Sequence, residues 1–349
     1  MNSGEIVANS GENNHNSGEN STNSGDKIIM VEHAGSFRLL MKGKRQMDKN
    51  YSNKYFKLEK IQDGIYAAIE KKGSGAFANA GIIDLGDQTI VFDTLNTQQV
   101  GEALRKVAED VTGKPVSWVI NSHWHGDHIH GNQSFPESKI VSSRKTREKM
   151  AEIHPNKMEN DKNNIGALHD QIDKLEKEFL TSNDPDIATD INFKKEIADS
   201  LPTLELALPQ YAFQDEFAIH GSKRSVNIFT YSGGHTPCDA ILYLPEEKIA
   251  FLSDLLFVRS HPIFFDETNL EQWTENLKKV NELDMKTVIP GHGPVATKDE
   301  FDPIIDYMQD ISELAKGDKD IDTIEIPDKY KEWESGNVFH PNLKVLREQ

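Results

Sequence analysis

The densest chemistry in the chain lies at residues 121–128, which read Asn-Ser-His-Trp-His-Gly-Asp-His. Neutral imidazole is the commonest metal-binding side chain, and it suits zinc and iron. His123 and His125 lie two residues apart and share a face of an extended segment, whereas Gly126 lets the chain turn before Asp127 and His128. The spacing therefore predicts that two of these side chains face one metal ion and two face another.

Three later loops can supply the further ligands that a four-coordinate site needs. Each loop follows an apolar, strand-like run, so one edge of a sheet scaffold can gather the side chains. The candidates are His235 after Tyr-Ser-Gly-Gly, Asp254 after Leu-Ser, and His292 within Ile-Pro-Gly-His-Gly. Each signal is weak by itself, and their number and order strengthen them.

The elements that must position these side chains are strands and helices in alternation. Strand-like runs occupy residues 64–69, 80–85, 89–93, 116–120, 217–220, 225–231, 240–244, 248–252 and 287–289. Apolar residues at helical spacing mark 97–111, 270–283 and 300–315, and the charged segment 144–200 predicts an insertion of one or two amphipathic helices. This order predicts an α/β layered domain in which helices flank the sheets.

Composition narrows the function classes. The chain has 349 residues, of which 57 are acidic and 39 basic, giving a formal net charge of −18. That charge speaks against binding to nucleic acid or to an anionic membrane, because both require a basic surface. The single cysteine, Cys238, excludes an intramolecular disulfide and a Cys-rich zinc finger. With no long apolar run and no signal-peptide pattern, we expect a cytoplasmic protein.

The N-terminal segment is a repeat. Asn-Ser-Gly followed by an acidic residue begins at Asn2, Asn9, Asn16 and Asn23, and the apolar positions of a coiled coil are missing. We expect residues 1–27 to be a disordered polar tail, residues 28–316 to form the domain with its insertion at 144–200, and residues 317–349 to be a C-terminal extension. Residues 28–60 give no clear prediction of secondary structure.

The motifs together resemble the metallo-β-lactamase fold superfamily. They are His-x-His-x-Asp-His at 123–128, Gly-Gly-His at 233–235, Ser-Asp at 253–254 and Pro-Gly-His-Gly at 290–293, and the resemblance spans roughly residues 60–315. It implies an α/β (α+β) fold, a four-layer αββα sandwich with a dinuclear zinc site at one edge. It also implies that His123, His125 and His235 hold the first metal. Asp127, His128 and His292 would then hold the second, and Asp254 would bridge the two.

Differences between this sequence and the motifs of individual subfamilies reduce the number of subfamilies that it resembles. True β-lactamases have Cys or Ser at the bridging position, whereas Asp254 is similar to glyoxalase II, lactonase and ribonuclease Z members. His125 argues against the flavodiiron proteins, and the negative charge disfavours a nuclease. Gly131-Asn132, the acidic insertion and residues 338–342 look most like a group of uncharacterised bacterial β-lactamase-like hydrolases, a likeness that sets no substrate.

The resemblance implies a metallo-hydrolase. Zinc lowers the pKa of bound water from about 15.7 to about 7, so a hydroxide bridging two zinc ions would attack an ester, lactone, thioester or β-lactam carbonyl of a small molecule. Asp127 would ligate and orient that hydroxide as the catalytic residue. Iron or manganese are alternatives to zinc. A mononuclear iron dioxygenase of the persulfide dioxygenase type and a non-catalytic binding protein on the same fold are alternative functions, and the insertion is open as a lid or a homodimer interface.

Further residues near these motifs are candidates for the walls of the substrate pocket. We expect Trp124, His261 and Phe264, the last together with Phe265, to line the substrate pocket, with core packing as the alternative for the segment at 261–265. We expect His130 to contact the metal ligands or solvent and not to bind a metal itself. We expect His154 to have a surface or structural role. The sequence leaves two alternatives for Cys238, which are a nucleophile paired with His235 and a buried thiol.

Overall fold

The computed structural model describes residues 29–33, 36–40 and 51–349, which fall into two units, Met1–Asn50 and Tyr51–Gln349. In the first unit, β1 (Ile29–His33) pairs antiparallel with β2 (Ser36–Leu40). The tail expected at residues 1–27 lies outside the described residues, so its disorder stays a prediction. All that follows concerns the second unit.

The first sheet of this unit has seven strands, which follow one another in chain order. They are β3 (Phe56–Gln62), β4 (Ile65–Glu70), β5 (Ala80–Asp84), β6 (Thr89–Phe92), β7 (Trp118–Asn121), β8 (Lys139–Ser143) and β9 (Tyr211–Phe213). Strands β3 to β6 are antiparallel, and β6 to β9 are parallel. Helix α1 (Gln98–Thr112) connects β6 to β7, and the short helix α2 (Gly126–Ile129) follows β7.

The charged segment between β8 and β9 is helical throughout. It contains α3 (Arg144–Asn163), α4 (Ile165–Ser182) and α5 (Pro185–Ser200), three helices where the sequence predicts one or two. Ile172 of α4 packs with Ile191 and Ala198 of α5, so the amphipathic stripe predicted here is confirmed. Pro185 begins α5 at its first turn, where the missing N–H of proline costs no hydrogen bond.

The second sheet has five strands in chain order, with the last strand parallel to its neighbour. They are β10 (Glu216–His220), β11 (Ser225–Ser232), β12 (Cys238–Leu244), β13 (Ile249–Phe257) and β14 (Thr287–His292). Helix α6 (Leu270–Asn281) connects β13 to β14, and α7 (Phe301–Lys316) and α8 (Phe339–Glu348) follow.

Three apolar clusters define the layers. One lies between the sheets and contains Ile83 and Phe92 from the first sheet and Leu242 and Phe251 from the second. Another joins the opposite face of the first sheet to α1, and a third joins the second sheet to α6, α7 and α8. Neighbouring strand residues enter different clusters because side chains alternate along a strand. The four-layer αββα sandwich is therefore confirmed.

Most predicted elements are present within a few residues of their expected bounds, and the misses have physical reasons. In β3, Phe56 and Leu58 alternate with charged residues, but Glu59-Lys60 interrupts the alternation beside a register shift, which leaves only a short strand pattern. Helix α8 contains Pro341, a residue type that predicts the end of a helix. It lies in the first turn of α8, where proline is tolerated. The C-terminal segment contributes Tyr330, Phe339 and Leu343 to the core beneath the second sheet. None of the described helices is long and apolar enough to cross a membrane.

Glycine allows α1 to pack directly on the chain that follows α2. A Cβ on Gly101 would lie 2.6 Å from the Cα of Gly131, with no flexible side chain to yield. We predict that Gly101→Ala lowers the free energy of unfolding by about 1–3 kcal/mol, because the added methyl overpacks a backbone contact. Gly166→Ala is the matched control, since a Cβ at this helical glycine meets nothing within 4 Å. It should stabilise by up to about 1 kcal/mol through helix propensity. Urea unfolding measures both, and an equal response of the two variants would refute the contact.

Candidate metal centre

The loop after β7 changes from extended chain to helix within the histidine motif. His125 is extended, with φ −66° and ψ 148°, and it precedes the first residue of α2, Gly126. His123 and His125 therefore come from extended chain, and Asp127 and His128 come from a helix. The two pairs point in different directions, as the spacing predicts.

The other three side chains come from the second sheet, and Asp254 lies within a strand where the sequence predicts a loop. His235 follows β11 after Gly233 and Gly234, whose φ angles of 76° and 134° suit glycine. Asp254 lies in β13 where the register with β14 shifts at Ser253, and His292 ends β14. A Cβ on Gly291 would collide with Asp254 Oδ1, so glycine here leaves room for that carboxylate.

The first group of ligand atoms consists of three imidazole nitrogens and one carboxylate oxygen. His125 Nδ1 lies 3.1 Å from both His123 Nε2 and His235 Nε2. Asp254 Oδ2 lies 3.3 Å from His235 Nε2 and 3.8 Å from His123 Nε2. Four donor atoms thus converge on one point.

The second group shares Asp254 but uses its other oxygen. Asp254 Oδ1 lies 3.1 Å from His128 Nε2 and 3.4 Å from His292 Nε2. Asp127 Oδ2 lies 3.4 Å and 3.5 Å from the same two nitrogens. The structure thus brings together all seven predicted side chains, with one oxygen of Asp254 in each group.

These donor sets fit a metal ion. Zinc bonds of about 2.0–2.2 Å in a tetrahedron separate the ligand atoms by about 3.3–3.6 Å, and the distances above surround that range. His128 Nε2 and Asp254 Oδ1 are buried, and neither makes a hydrogen bond within the described part of the chain. Buried polar atoms are normally satisfied, so these two atoms are available to a cation.

The electrostatics of the two groups differ. Burial lowers the pKa of His123 and His125 well below the usual range, so both are neutral donors. Burial also lowers the pKa of His292, but the carboxylates of Asp254 and Asp127 outweigh it and raise that pKa to about 10. Burial favours the neutral form of Asp127, yet His128 and His292 hold its pKa well below the usual range. The second group therefore holds ionised carboxylates that require positive charge nearby.

Asp93 supports the centre and is not among the sequence-predicted residues. It follows β6, is 1% exposed, and accepts hydrogen bonds from His128 Nδ1 at 2.8 Å, Ser122 Oγ at 2.7 Å and Ser253 Oγ at 2.9 Å. The bond from Nδ1 leaves the Nε2 lone pair of His128 facing the second group. The available signal was an acidic residue directly after a buried strand, at the same edge as His123.

Helix α3 also reaches the motif. His154, which is 1% exposed rather than on the surface, donates its Nε2 proton to the Trp124 carbonyl at 2.7 Å. His130 donates from Nδ1 to the Asn96 carbonyl, and its Nε2 lies 3.4 Å from His154 Nδ1. Both histidines therefore hold the backbone around the ligands without belonging to either group.

A cavity of about 1160 Å³ opens onto both groups, and Trp124 and His261 line it. The prediction for Phe264 is wrong, because this ring is 3% exposed and packs in the core with Trp273 and Tyr307. Helix α8 fixes it there, since Asn342 Oδ1 accepts a hydrogen bond from the Phe264 backbone N–H. Phe265 lines the cavity instead.

Cys238 lies outside both groups and outside the walls of this cavity. Its Sγ lies 3.0 Å from Ser143 Oγ and 3.1 Å from Thr230 Oγ1, and burial raises its pKa. A raised pKa disfavours the thiolate, so the structure gives this thiol the character of a buried structural group.

We predict that Asp93→Ala weakens zinc binding by about 10–100-fold, because the partner that orients His128 is lost. Competition with a chromophoric chelator measures the affinity. Asp84→Asn is the matched control, since Asp84 is also buried and paired, with Lys114 at 2.9 Å, but belongs to neither group. Unchanged affinity in a folded Asp93 variant would contradict the role.

We predict that His154→Ala weakens zinc binding by about tenfold and that His154→Gln restores most of it, because an amide N–H can replace the donor to the Trp124 carbonyl. His169→Ala, at an exposed histidine on α4, is the control. Equal affinities of the Ala and Gln variants would show that the hydrogen bond does not matter.

Comparisons with known proteins agree with this geometry. The family model of the metallo-beta-lactamase superfamily matches residues 73–292. A curated relative, the beta-lactamase-like protein 2 homolog of Caenorhabditis elegans, is 23% identical over 283 residues, which is 77% of each chain.

Solved structures share the fold. The metallo-beta-lactamase from Pontibacter korlensis has a TM-score of 0.52 at 15% identity, covering 73% of this chain and 99% of that chain. The metallo-beta-lactamase FIM-1 from Pseudomonas aeruginosa in the mono-zinc form has a TM-score of 0.51 at 16% identity, covering 73% and 96%. At these identities the likeness shows the fold alone. The family match covers more than half of the sequence, and the chain belongs to the metallo-β-lactamase superfamily.

Proposed function

We propose that this protein is a dinuclear zinc hydrolase that cleaves an ester, lactone, thioester or β-lactam bond in a small molecule. The observation that carries the proposal is the position of Asp254, whose Oδ2 lies 3.3 Å from His235 Nε2 while its Oδ1 lies 3.1 Å from His128 Nε2. A carboxylate with one oxygen in each donor set fits two ions held side by side.

The residues divide into holders of each ion. His123, His125 and His235 would hold the first, Asp127, His128 and His292 would hold the second, and Asp254 would contact both. When bound, zinc ions supply Lewis acidity to the scissile carbonyl and lower the pKa of water towards 7. The neutral state of His123 and His125 suits this role, because a protonated imidazole cannot bind a metal.

Asp127 would be the catalytic residue. Its Oδ2 faces His128 and His292, and the side chain is on the cavity wall and 15% exposed, so Oδ1 is available to a water molecule. A carboxylate there can orient the attacking water and accept its proton. Two aromatic rings lie beside the ligand histidines, Phe257 stacked on His292 at 4.9 Å and Phe265 at 4.5 Å from His125.

We predict two zinc ions per chain by metal analysis, and loss of hydrolysis of an ester, lactone, thioester and β-lactam panel on chelation. Asp127→Ala should lower kcat by about 100-fold or more, since a ligand of the second ion, the general base and the orientation of the water are lost together. Asp170→Ala, at an exposed aspartate on α4, is the control. One iron per chain with oxygen consumption would instead support a dioxygenase, and failure to bind any metal would support a binding protein.

A further inference from the structure

The positive charges on the cavity wall are already paired. Among the residues that the structure describes, three lysines and no arginine line the cavity. Each lysine has a carboxylate oxygen within 3.4 Å of its Nζ, in the pairs Lys72–Glu334 at 2.8 Å, Lys157–Asp161 at 3.0 Å and Lys194–Asp190 at 3.4 Å. An anionic group of a ligand would meet each lysine together with a negative charge.

The other titratable groups on the cavity wall provide no further positive charge for an anionic ligand. Glu70 and Asp186 line the cavity, and neither carboxyl has an ion-pair partner within the described ranges. The histidines His154 and His261 are held neutral, because burial lowers the pKa of each. Outside the metal centre, the described wall therefore has no unpaired positive charge.

Apolar rings stand in the same wall with unusual exposure. Phe77 and Phe265 are 38% and 36% exposed, and both line the cavity. The Phe77 ring lies 5.6 Å from His292, and the Phe265 ring lies 4.5 Å from His125, so each donor group has one exposed ring beside it. Apolar surface exposed in a concave site is typical of ligand binding.

The position of Phe77 is fixed by this chain's own insertion. Its backbone φ is 65°, a left-handed conformation that is unusual for a residue with a bulky side chain. Phe193 of α5 packs on the ring at 5.2 Å, and a Cβ on Gly75 would lie 2.7 Å from Glu196 of the same helix. Helix α5 thus holds the Phe77 loop so that the ring faces the cavity.

We infer that the substrate is an uncharged molecule, with an apolar acyl or aryl group that lies along Phe77, Phe193 and Phe265. This inference rests on the hydrolase proposed above and adds the chemical class of its substrate. Metal ions at the floor of the cavity would attract any anion. The inference therefore concerns the charge at the end of the substrate that lies away from the scissile bond. A carboxylate there would meet paired lysines and lose its water.

The first test compares two esters that differ in charge at the end of a six-carbon acyl chain. They are p-nitrophenyl hexanoate and the mono-p-nitrophenyl ester of adipate, whose free end is a carboxylate. With the zinc-loaded protein, we expect kcat/KM to be about tenfold or more higher for the hexanoate ester. Equal values, or a preference for the adipate ester, would overturn the inference.

A binding measurement separates this inference from the hydrolase proposal. Hexanophenone and 6-oxo-6-phenylhexanoate have the same skeleton and cannot be hydrolysed, and Trp124 and Trp333 on the wall report binding by fluorescence. We expect chelator-treated protein to bind the neutral ketone more tightly, and the comparison uses this form because a free carboxylate would bind zinc ions directly. If no ester is cleaved but the neutral ketone still binds more tightly, the hydrolase fails and the apolar site stands. If the carboxylate binds equally well or better, the inference fails.

Variants that release a lysine provide the reciprocal test. Glu334→Gln removes the partner of Lys72, and we expect the ratio of kcat/KM for the adipate ester to that for the hexanoate ester to rise about fivefold. Asp328→Asn is the matched control, because it makes the same charge change and releases Lys331, which does not line the cavity. Asp190→Asn releases Lys194 and replaces Glu334→Gln if that variant does not fold. An unchanged ratio on release of the wall lysine would overturn the inference.

Truncation of the wall tests its apolar part. Phe193→Ala should reduce the preference for p-nitrophenyl hexanoate over p-nitrophenyl acetate about fivefold, because the longer chain loses its contact. Leu180→Ala, which truncates an 83% exposed apolar residue on α4 away from the cavity, should leave the preference unchanged. An unchanged preference in the Phe193 variant would show that this wall does not bind the acyl group.

Discussion

A carboxylate buried among imidazoles is the constraint around which this molecule is built. Asp254 is 3% exposed, and its charged neighbours in the described structure are histidines and Asp127, without a lysine or arginine. Burying an ion that lacks compensation costs several kcal/mol. The register shift at Ser253 and the missing Cβ at Gly291 both give this carboxylate its place, so the second sheet accepts local irregularity to present it.

The seven candidate ligands could be predicted because each belongs to a short motif directly after a strand-like run. The change from extended chain to helix at Gly126 is likewise local, since a glycine between His125 and Asp127 indicates it. Asp93 also follows a strand-like run but without a histidine or glycine motif around it, and His154 lies within a charged helical segment. They meet the motif from β6 and from α3, 35 residues from His128 and 30 residues from Trp124, and only the packing of these elements brings them there.

The direction of side chains in irregular segments could not be predicted from the sequence either. Phe264 and Phe265 are adjacent and chemically identical, yet one packs in the core and the other faces the cavity. The difference depends on Asn342 of α8, which holds the Phe264 backbone from 78 residues away. Helix α8 was itself hidden by Pro341, so neither observation could be reached from local pattern. The αββα layers, by contrast, follow from strand and helix periodicities that repeat along most of the chain.

Trp124 connects the candidate metal centre to two parts of the cavity wall. It lies between two candidate ligands, His123 and His125, and its carbonyl accepts a hydrogen bond from His154 of α3. Its indole Nε1 donates to Glu267, in the same loop as Phe265. One residue thus ties both cavity walls to the backbone that carries the first donor group. Both hydrogen bonds hold the backbone between His123 and His125, so the packing of α3 and of the loop at 265–267 bears on the metal centre as well as on the cavity.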